Sequence, residues 1–419
     1  MSKKIDSGIE WIGEIPSHWK LERLQWHITE IKESNKPEKS RQVLSLTNKR
    51  GVIPYEEKGA QGNVAKEDYS QYKLAYPGTI VANSMNILIG SVGRCDYFGC
   101  VSPVYYVYKP NEGENLEFIN YMFQMEQFQK ELRRYANGIL EIRLRVSSDG
   151  ILKRVMAFPP MEEQRRIVEY LGFKFTQVDA LVANVEAQIE KLRQYKLSII
   201  TEAVTKGLDL SVPMKDSGIE WIGEIPETWG TIRVKQLLKE RKERSADGSE
   251  EPLSMSQKLG LVPTRMLDMI PNMASSFVGA KLTYIDDLVF NKLKAHLGVF
   301  SVSQYDGLVS PDYAVYYSTG KVHLKYLEYL FKTPQCISEF RKRSTGIAAG
   351  LTRLYTDGLF AIECPFPTME EQNAIVEYLN IKCGQVDQLI AIKQKKIDKL
   401  NEYKKSLIYE YVTGKKEVS

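Results

Sequence analysis

The sequence has few cysteines and no long apolar run, and each scarcity narrows the classes of protein it can belong to. Its five cysteines are odd in number, widely spread and never arranged as Cys-x-x-Cys, which argues against a disulfide framework and against a zinc ribbon. No stretch approaches the roughly 18 apolar residues that a membrane helix needs, and the first residues contain no apolar core of a secretion signal. We therefore expect a protein of the reducing cytoplasm without a membrane anchor.

The sequence also lacks the motifs of the common catalytic and cofactor sites. It contains no phosphate-binding loop of the form G-x-x-x-x-G-K-[ST], no G-x-G-x-x-G dinucleotide motif, no H-E-x-x-H zinc motif and no G-x-S-x-G nucleophile elbow. Its four histidines are scattered without the spacing of metal ligands. The sequence therefore predicts a protein without an active site, a cofactor or a metal of its own.

What is present is the composition of a globular protein. The 419 residues are 43% hydrophobic and 26% charged, which excludes a mainly disordered chain. At about 150 residues per domain, this length indicates two or three domains. Lysine and arginine number 57 against 53 acidic residues, so the net charge of +4 neither requires nor excludes a polyanionic partner.

The chain contains a long tandem duplication. The eleven residues DSGIEWIGEIP at Asp6–Pro16 recur unchanged at Asp216–Pro226, and MEEQ followed by IVEYL at Met161–Leu171 recurs at Met369–Leu379. Between these anchors the copies diverge, but alternating runs such as TIVAN and DLVFN keep their order and predict strands. Each copy is therefore predicted to be a mixed α/β (α+β) domain, and the two form an internal pseudo-twofold repeat. The near-identical ends indicate that one task is performed twice.

A heptad pattern follows each domain. Apolar residues recur at alternating steps of four and three over Leu171–Ile199 and Leu379–Leu407, with interruptions at Lys196, Lys393 and Lys404. Such a seam needs a partner helix. The two segments can pair with each other as helices of about 60 Å, although pairing between two molecules satisfies the same pattern. The positions predicted to pair are Val178, Val182, Val185, Ile189, Leu192, Val386, Ile390, Ile397 and Leu400.

The loops that differ between the copies carry basic and amide side chains. Arginine and lysine match the acceptor pair of guanine and asparagine matches adenine, while further cations neutralise phosphates. Taken singly, each residue is also an ordinary solvated surface group, and drift after duplication would vary the loops too. The candidate DNA-binding residues are Lys49, Arg50, Asn83, Asn86, Arg94, Arg143, Arg145, Lys258, Asn291, Lys292, Lys294, His296 and Arg353.

Taken together, these landmarks resemble the specificity subunit of type I restriction-modification systems over essentially the whole chain. The resemblance rests on the D-S-G-I-E-W-I-G-E-I-P motif with its following tryptophan, on the S-P-x-Y strands from Ser102 and Ser310, and on M-E-E-Q with I-V-E-Y-L leading into a long helix. Each motif is present twice in the same order, which makes the combination specific.

The resemblance implies an organisation and a function. Two target recognition domains each read one half of a bipartite double-stranded DNA sequence, and two long antiparallel coiled-coil helices set the half-site spacing and dock two methyltransferase subunits. The subunit itself is non-catalytic, and S-adenosylmethionine, ATP and Mg belong to the methyltransferase and to a restriction and translocase subunit. The implied segments are recognition domain 1 at 1–159, the central helix at 160–207, recognition domain 2 at 208–367 and the C-terminal helix at 368–419.

Alternatives to this interpretation stay open. A duplicated coiled-coil scaffold without DNA specificity would share the helical pattern, and a modification-only methyltransferase would use the same subunit. An enzyme with an unrecognised cofactor site is a weaker alternative. The near-neutral charge predicts weak DNA affinity for the isolated subunit.

Overall fold

The computed structural model describes residues 3–47, 50–58, 68–137, 144–256, 259–267, 276–346 and 352–418. The candidates Lys49, Arg143 and Lys258 lie outside the described residues. The chain divides into two compact units: unit 1 is Met1–Glu186 with Gln394–Ser419, and unit 2 is Ala187–Lys393.

The two units repeat the same order of elements. The strands of unit 1 are β1 Lys4–Asp6, β2 Glu14–Pro16, β3 Lys20–Arg23, β4 Ile28–Ile31, β5 Leu44–Thr47, β6 Gly51–Pro54, β7 Lys73–Ala75, β8 Thr79–Asn83, β9 Val92–Cys95, β10 Gly99–Val101, β11 Tyr105–Pro110, β12 Ala136–Asn137, β13 Arg145–Val146 and β14 Val155–Phe158. Its short helices are α1 Leu116–Gln124, α2 Glu126–Arg133 and α3 Ser148–Leu152. The long helix α4, Met161–Lys206, begins in unit 1 and ends in unit 2.

Unit 2 follows with equivalent elements, except that an isolated bridge between Thr345 and Arg353 stands where unit 1 has the pair β12 and β13. Its strands are β15 Met214–Asp216, β16 Glu224–Pro226, β17 Gly230–Arg233, β18 Leu238–Glu240, β19 Leu253–Ser256, β20 Gly260–Pro263, β21 Lys281–Thr283, β22 Leu288–Asn291, β23 Phe300–Val302, β24 Gly307–Val309, β25 Tyr313–Ser318 and β26 Glu363–Phe366. Its short helices are α5 Leu324–Phe331, α6 Pro334–Arg343 and α7 Thr356–Phe360. The second long helix, α8 Met369–Val412, begins in unit 2 and ends in unit 1.

A four-stranded antiparallel sheet forms the centre of each unit, in the order β4-β11-β8-β9 in unit 1 and β18-β25-β22-β23 in unit 2. Strand β3 also pairs with β14, and β17 pairs with β26, so an early strand of each repeat pairs with its last strand. The mixed α/β class and the internal repeat predicted from the sequence are confirmed.

Alternate residues of the central strands enter different apolar clusters, as the two-residue period of a strand requires. In unit 1, Ile80 and Ala82 of β8 join the cluster that contains α1 and α2, whereas Val81 packs with strands β5, β6, β7 and β10. In unit 2, the neighbouring residues Phe290 and Val289 of β22 likewise join two different apolar clusters. Each sheet is therefore covered by apolar side chains on both faces.

Part of α4 packs against part of α8 within each unit. In unit 1, Lys404 Nζ donates to both carboxylate oxygens of Asp179 at 2.8 and 3.0 Å, and the hydroxyl of Tyr411 donates to that of Tyr170 at 3.1 Å. The later residue of α8, Tyr411, contacts the earlier residue of α4, Tyr170, whereas Lys404 contacts Asp179. The two segments are therefore antiparallel. The antiparallel arrangement and the pairing within one chain are confirmed.

Unit 2 repeats this contact. Lys196 Nζ donates to both carboxylate oxygens of Asp387 at 2.8 and 2.6 Å, and Lys393 donates to Gln188. The lysines that interrupt the heptad pattern therefore bond to the opposite helix. Among the predicted pairing positions, the buried ones are Val178, Val185, Ile189, Val386 and Ile397, and the half-buried ones are Val182, Leu192, Ile390 and Leu400.

The repeated end motifs contact a long helix in each unit. Trp19 Nε1 donates to Glu163 Oε1 at 3.1 Å at the start of α4, and Trp229 Nε1 donates to Glu371 Oε1 at 3.0 Å at the start of α8. Both glutamates belong to the repeated M-E-E-Q sequence. The near-identical ends thus include the residues that attach each long helix to its domain.

Among the described residues, no helix is both long enough and apolar enough to cross a bilayer.

Candidate nucleic-acid interface

Three segments of unit 1 meet at Ser84, just beyond the end of β8. The Ser84 amide donates to Val104 O at 3.4 Å, and the Val146 amide donates to Ser84 O at 3.2 Å. These bonds join the turn after β8, the S-P-x-Y turn before β11 and the short strand β13. We call this region edge 1, which comprises residues 83–91, 102–105 and 145–146.

The corresponding segments of unit 2 form edge 2, which comprises residues 291–299, 310–313 and 352–354. The Leu354 amide donates to Lys292 O at 3.0 Å, and Arg353 Nη2 lies 3.3 Å from Asp312 Oδ1. Both edges collect candidates from distant parts of the sequence: edge 1 brings together Asn83, Asn86 and Arg145, and edge 2 brings together Asn291, Lys292, Lys294, His296 and Arg353.

The first asparagine of each edge shapes its turn. Asn83 Oδ1 accepts from the Met85 amide at 3.0 Å, and Asn291 Oδ1 accepts from the Leu293 amide at 3.1 Å. Asn83 is buried, and Asn291 is half-buried. Their side-chain oxygens are thus engaged by the protein itself, as is usual for asparagine in tight turns.

The next exposed polar groups differ between the edges. Asn86 and Lys294 are equivalent in the repeat, and both are exposed at the start of a single-turn 3-10 helix. His296 lies within the second of these turns; it is half-buried, and its Nδ1 has no hydrogen-bond partner among the described residues. One edge therefore offers an amide where the other offers an ammonium group.

Acidic side chains neutralise several of the candidate cations, which lowers the positive potential of both edges and their surroundings. The pairs are Arg50 with Glu57, Arg94 with Asp96 at 2.7 Å, and Arg353 with Asp312 at 3.3 Å. Arg145, Lys292 and Lys294 form no ion pair with the described part of the chain. Arg145 instead directs Nη2 toward Met85 Sδ at 3.7 Å. These three cations are the ones available to a phosphate or a base.

Within the described ranges, no cluster of three or more histidine, cysteine, aspartate or glutamate side chains is arranged to hold a metal ion. The polar groups of the two edges can form hydrogen bonds and ion pairs with a ligand.

The chain is similar to curated proteins along its length. The type I restriction enzyme MjaVIII specificity subunit of Methanocaldococcus jannaschii is 24% identical over 275 residues, which are 61% of this chain and 61% of that protein. The putative type I restriction enzyme MjaX specificity subunit of the same organism is 23% identical over 431 aligned positions, which are 96% of this chain and 95% of the relative. The curated proteins that this chain resembles are thus specificity subunits of type I restriction enzymes. No protein-family profile matches the sequence.

The fold of this chain matches a solved structure. A chain from a study of the complex assembly and conformational transition of the type I R-M system has a TM-score of 0.68 at 14% identity, over 95% of this chain and 98% of that chain. At that identity the likeness concerns the fold alone. It covers both units and both long helices.

Each unit also contains a lysine that sequence reasoning missed, half-buried at Lys73 and buried at Lys281. Lys73 Nζ donates to Tyr105 O at 2.7 Å and lies 3.7 Å from Glu30. Lys281 donates to Tyr313 O at the same distance. Since Tyr105 and Tyr313 are the tyrosines of the S-P-x-Y motifs, these lysines brace the turns of both edges. The repetition of K-L-A-Y as K-L-T-Y was the available signal.

Burial lowers the pKa of both lysines because the charged form loses hydration. Glu30 opposes this shift at Lys73. At Lys281 the positive charge of Lys292 adds to the lowering, and Glu240 opposes it. Lys292 therefore lies close enough to Lys281 for the positive charge of edge 2 to lower the pKa of that lysine.

Proposed function

We propose that this chain is the non-catalytic, DNA-reading specificity subunit of a type I system, in which each unit presents one edge to one half of a bipartite double-stranded sequence. One observation carries the proposal. Contacts that build the edges recur in both units, as in Lys73 with Tyr105 and Lys281 with Tyr313, whereas the exposed groups at equivalent positions, Asn86 and Lys294, are different. A constant framework with different contact groups suits two different half-sites.

The chemistry of the exposed groups suggests how each half is read. An asparagine amide matches the donor and acceptor of adenine, and a lysine ammonium matches the acceptors of guanine. The guanidinium of Arg145 and the ammonium of Lys292 can neutralise phosphates, which position the protein without reading sequence.

The helices have a separate role in this proposal. Helices α4 and α8 set the spacing between the half-sites and dock two identical methyltransferase subunits, one on each of the equivalent helix pairs. The methyltransferase supplies S-adenosylmethionine, and a restriction and translocase subunit supplies ATP and Mg. The whole complex acts on DNA in the cytoplasm.

The test is methylome sequencing of cells that express the subunit with its methyltransferase. The wild type is expected to direct methylation to a two-part sequence. Asn86→Ala is expected to relax one half of that sequence and Lys294→Ala the other, because a lost base contact removes about 1–3 kcal/mol of discrimination. Lys109→Ala, an exposed lysine outside both edges, serves as the control. Methylation without a defined two-part sequence would contradict the proposal and favour a scaffold.

A further inference from the structure

Each edge carries one large aliphatic side chain that is exposed to solvent. Ile89 is 69% exposed and Leu297 is 52% exposed. They are equivalent in the repeat, since 297 − 89 = 208 is also the offset between Asn83 and Asn291. Leaving such a side chain in water forgoes about 1.5–3 kcal/mol of burial free energy. Both copies nevertheless keep an aliphatic residue at this position.

Both side chains are held on a rigid turn. Gly90 and Gly298 end the two 3-10 turns with φ of 79° and 74°, and each amide bonds back to the first residue of its turn, at 3.1 and 2.9 Å. A left-handed residue of this kind is readily supplied only by glycine. Helix α2 supports the first turn, because a Cβ on Gly90 would lie 3.2 Å from Gln129 Nε2.

Each aliphatic residue lies one 3-10 turn after the exposed polar group of its edge. The Ile89 amide donates to Asn86 O at 3.1 Å, and the Leu297 amide donates to Lys294 O at 3.0 Å. Of these two exposed positions, the polar one differs between the copies while the other stays aliphatic. The constant property is an apolar side chain beside a polar contact group.

We propose that Ile89 and Leu297 are apolar wedges that enter the DNA between stacked bases, next to the base pairs contacted by Asn86 and Lys294. The proposal rests on the function proposed above and specifies how each edge engages its half-site. Isoleucine and leucine are among the side chains that proteins insert between base steps to unstack and kink a duplex. The exposed amide, the unpaired ammonium group and the nearby cations favour DNA over a protein partner, because they are matched to bases and phosphates.

The test uses the complex of this chain with its methyltransferase, on a duplex whose two half-sites and methylated bases have been fixed by methylome sequencing. A fluorescent adenine analogue that brightens on unstacking is placed at successive positions of each half-site. The wild-type complex is expected to brighten one position per half-site that is distinct from the methylated base. Ile89→Ala is expected to abolish the signal in one half-site only, and Leu297→Ala is expected to abolish it only in the other half-site. Each of the two variants is therefore the control for the other.

Further variants separate a wedge from other roles. Ile89→Leu, which keeps an aliphatic side chain, is expected to retain the signal. Ile285→Ala, which changes another exposed isoleucine in a turn outside the edges, is expected to leave both signals intact. Unstacking signals that persist in both half-sites of the assembled Ile89→Ala and Leu297→Ala complexes would overturn the wedge. If the wild-type complex recognises no bipartite sequence at all, the proposed function itself fails.

Discussion

Single residues determine how closely the end of each long helix packs against its domain. Gly414, just beyond α8, has a φ of 69°, and a Cβ there would lie 2.4 Å from Pro16 Cδ and 3.2 Å from the ring of Trp19. Gly207, beyond α4, has a φ of 77°, and a Cβ there would lie 3.3 Å from the ring of Trp229. The end of each helix thus packs closely against the repeated tryptophan, and at Gly414 a side chain would also clash with Pro16.

A pair of glycine substitutions tests this contact. Gly414→Ala is expected to lower the free energy of unfolding by about 2 kcal/mol or more, because it adds backbone strain and a clash. Gly384→Ala is expected to raise it by about 0.5–1 kcal/mol, because Gly384 lies inside α8, where a Cβ meets none of the described atoms within 4 Å. Urea unfolding followed by tryptophan fluorescence measures both, and two shifts of the same sign would contradict this account of Gly414.

At the scale of elements, the antiparallel helices are aligned by equivalent ion pairs. Lys404 with Asp179 and Lys196 with Asp387 occupy corresponding positions in the repeat, since 404 − 196 and 387 − 179 both equal 208. Each lysine lies in an otherwise apolar seam and reaches a carboxylate on the opposite helix. These pairs favour one register over slipped alternatives.

Charge reversal tests the pairing. Lys404→Glu is expected to destabilise the chain by about 1 kcal/mol, because it replaces a partly exposed attraction with a repulsion. The double variant Lys404→Glu with Asp179→Lys is expected to recover most of that loss. Thermal unfolding at low and high salt measures both effects. If the double variant were no more stable than the single one, the ion pair would have no role in alignment.

The elements also indicate how much could be predicted from the sequence. Strand alternation and heptad spacing are local periodicities, so the α/β class, α4 and α8 followed directly. Pairing within one chain did not, because the same seam serves two molecules equally well. At the candidate site, sequence could not separate the buried Asn83 from the exposed Asn86, since long-range packing decides burial. Lys73 was missed because a lysine in a short strand is usually solvated.

At the scale of the whole molecule, the proposed spacing role of the helices makes a quantitative prediction. A heptad inserted into α4 between Val185 and Ile189, together with one in α8 between Lys393 and Ile397, preserves the seam and lengthens each helix by about 10 Å. The recognised half-sites are then expected to move apart by about three base pairs at 3.4 Å each. Methylome sequencing reads the spacing directly. Insertion into α4 alone is the control and is expected to impair folding, and an unchanged spacing in the matched variant would contradict the proposal.

The division of the chain has a consequence for how the protein is made. Everything that unit 2 requires is contiguous and has been translated once Lys393 is added, whereas the core of unit 1 includes Leu407, Ile408 and Val412. Unit 1, most of which is synthesised before unit 2, must therefore wait for the end of α8 before its interior is complete, which reverses the usual order of maturation on the ribosome. A stop codon between Lys393 and Leu407 would damage unit 1 and leave unit 2 intact.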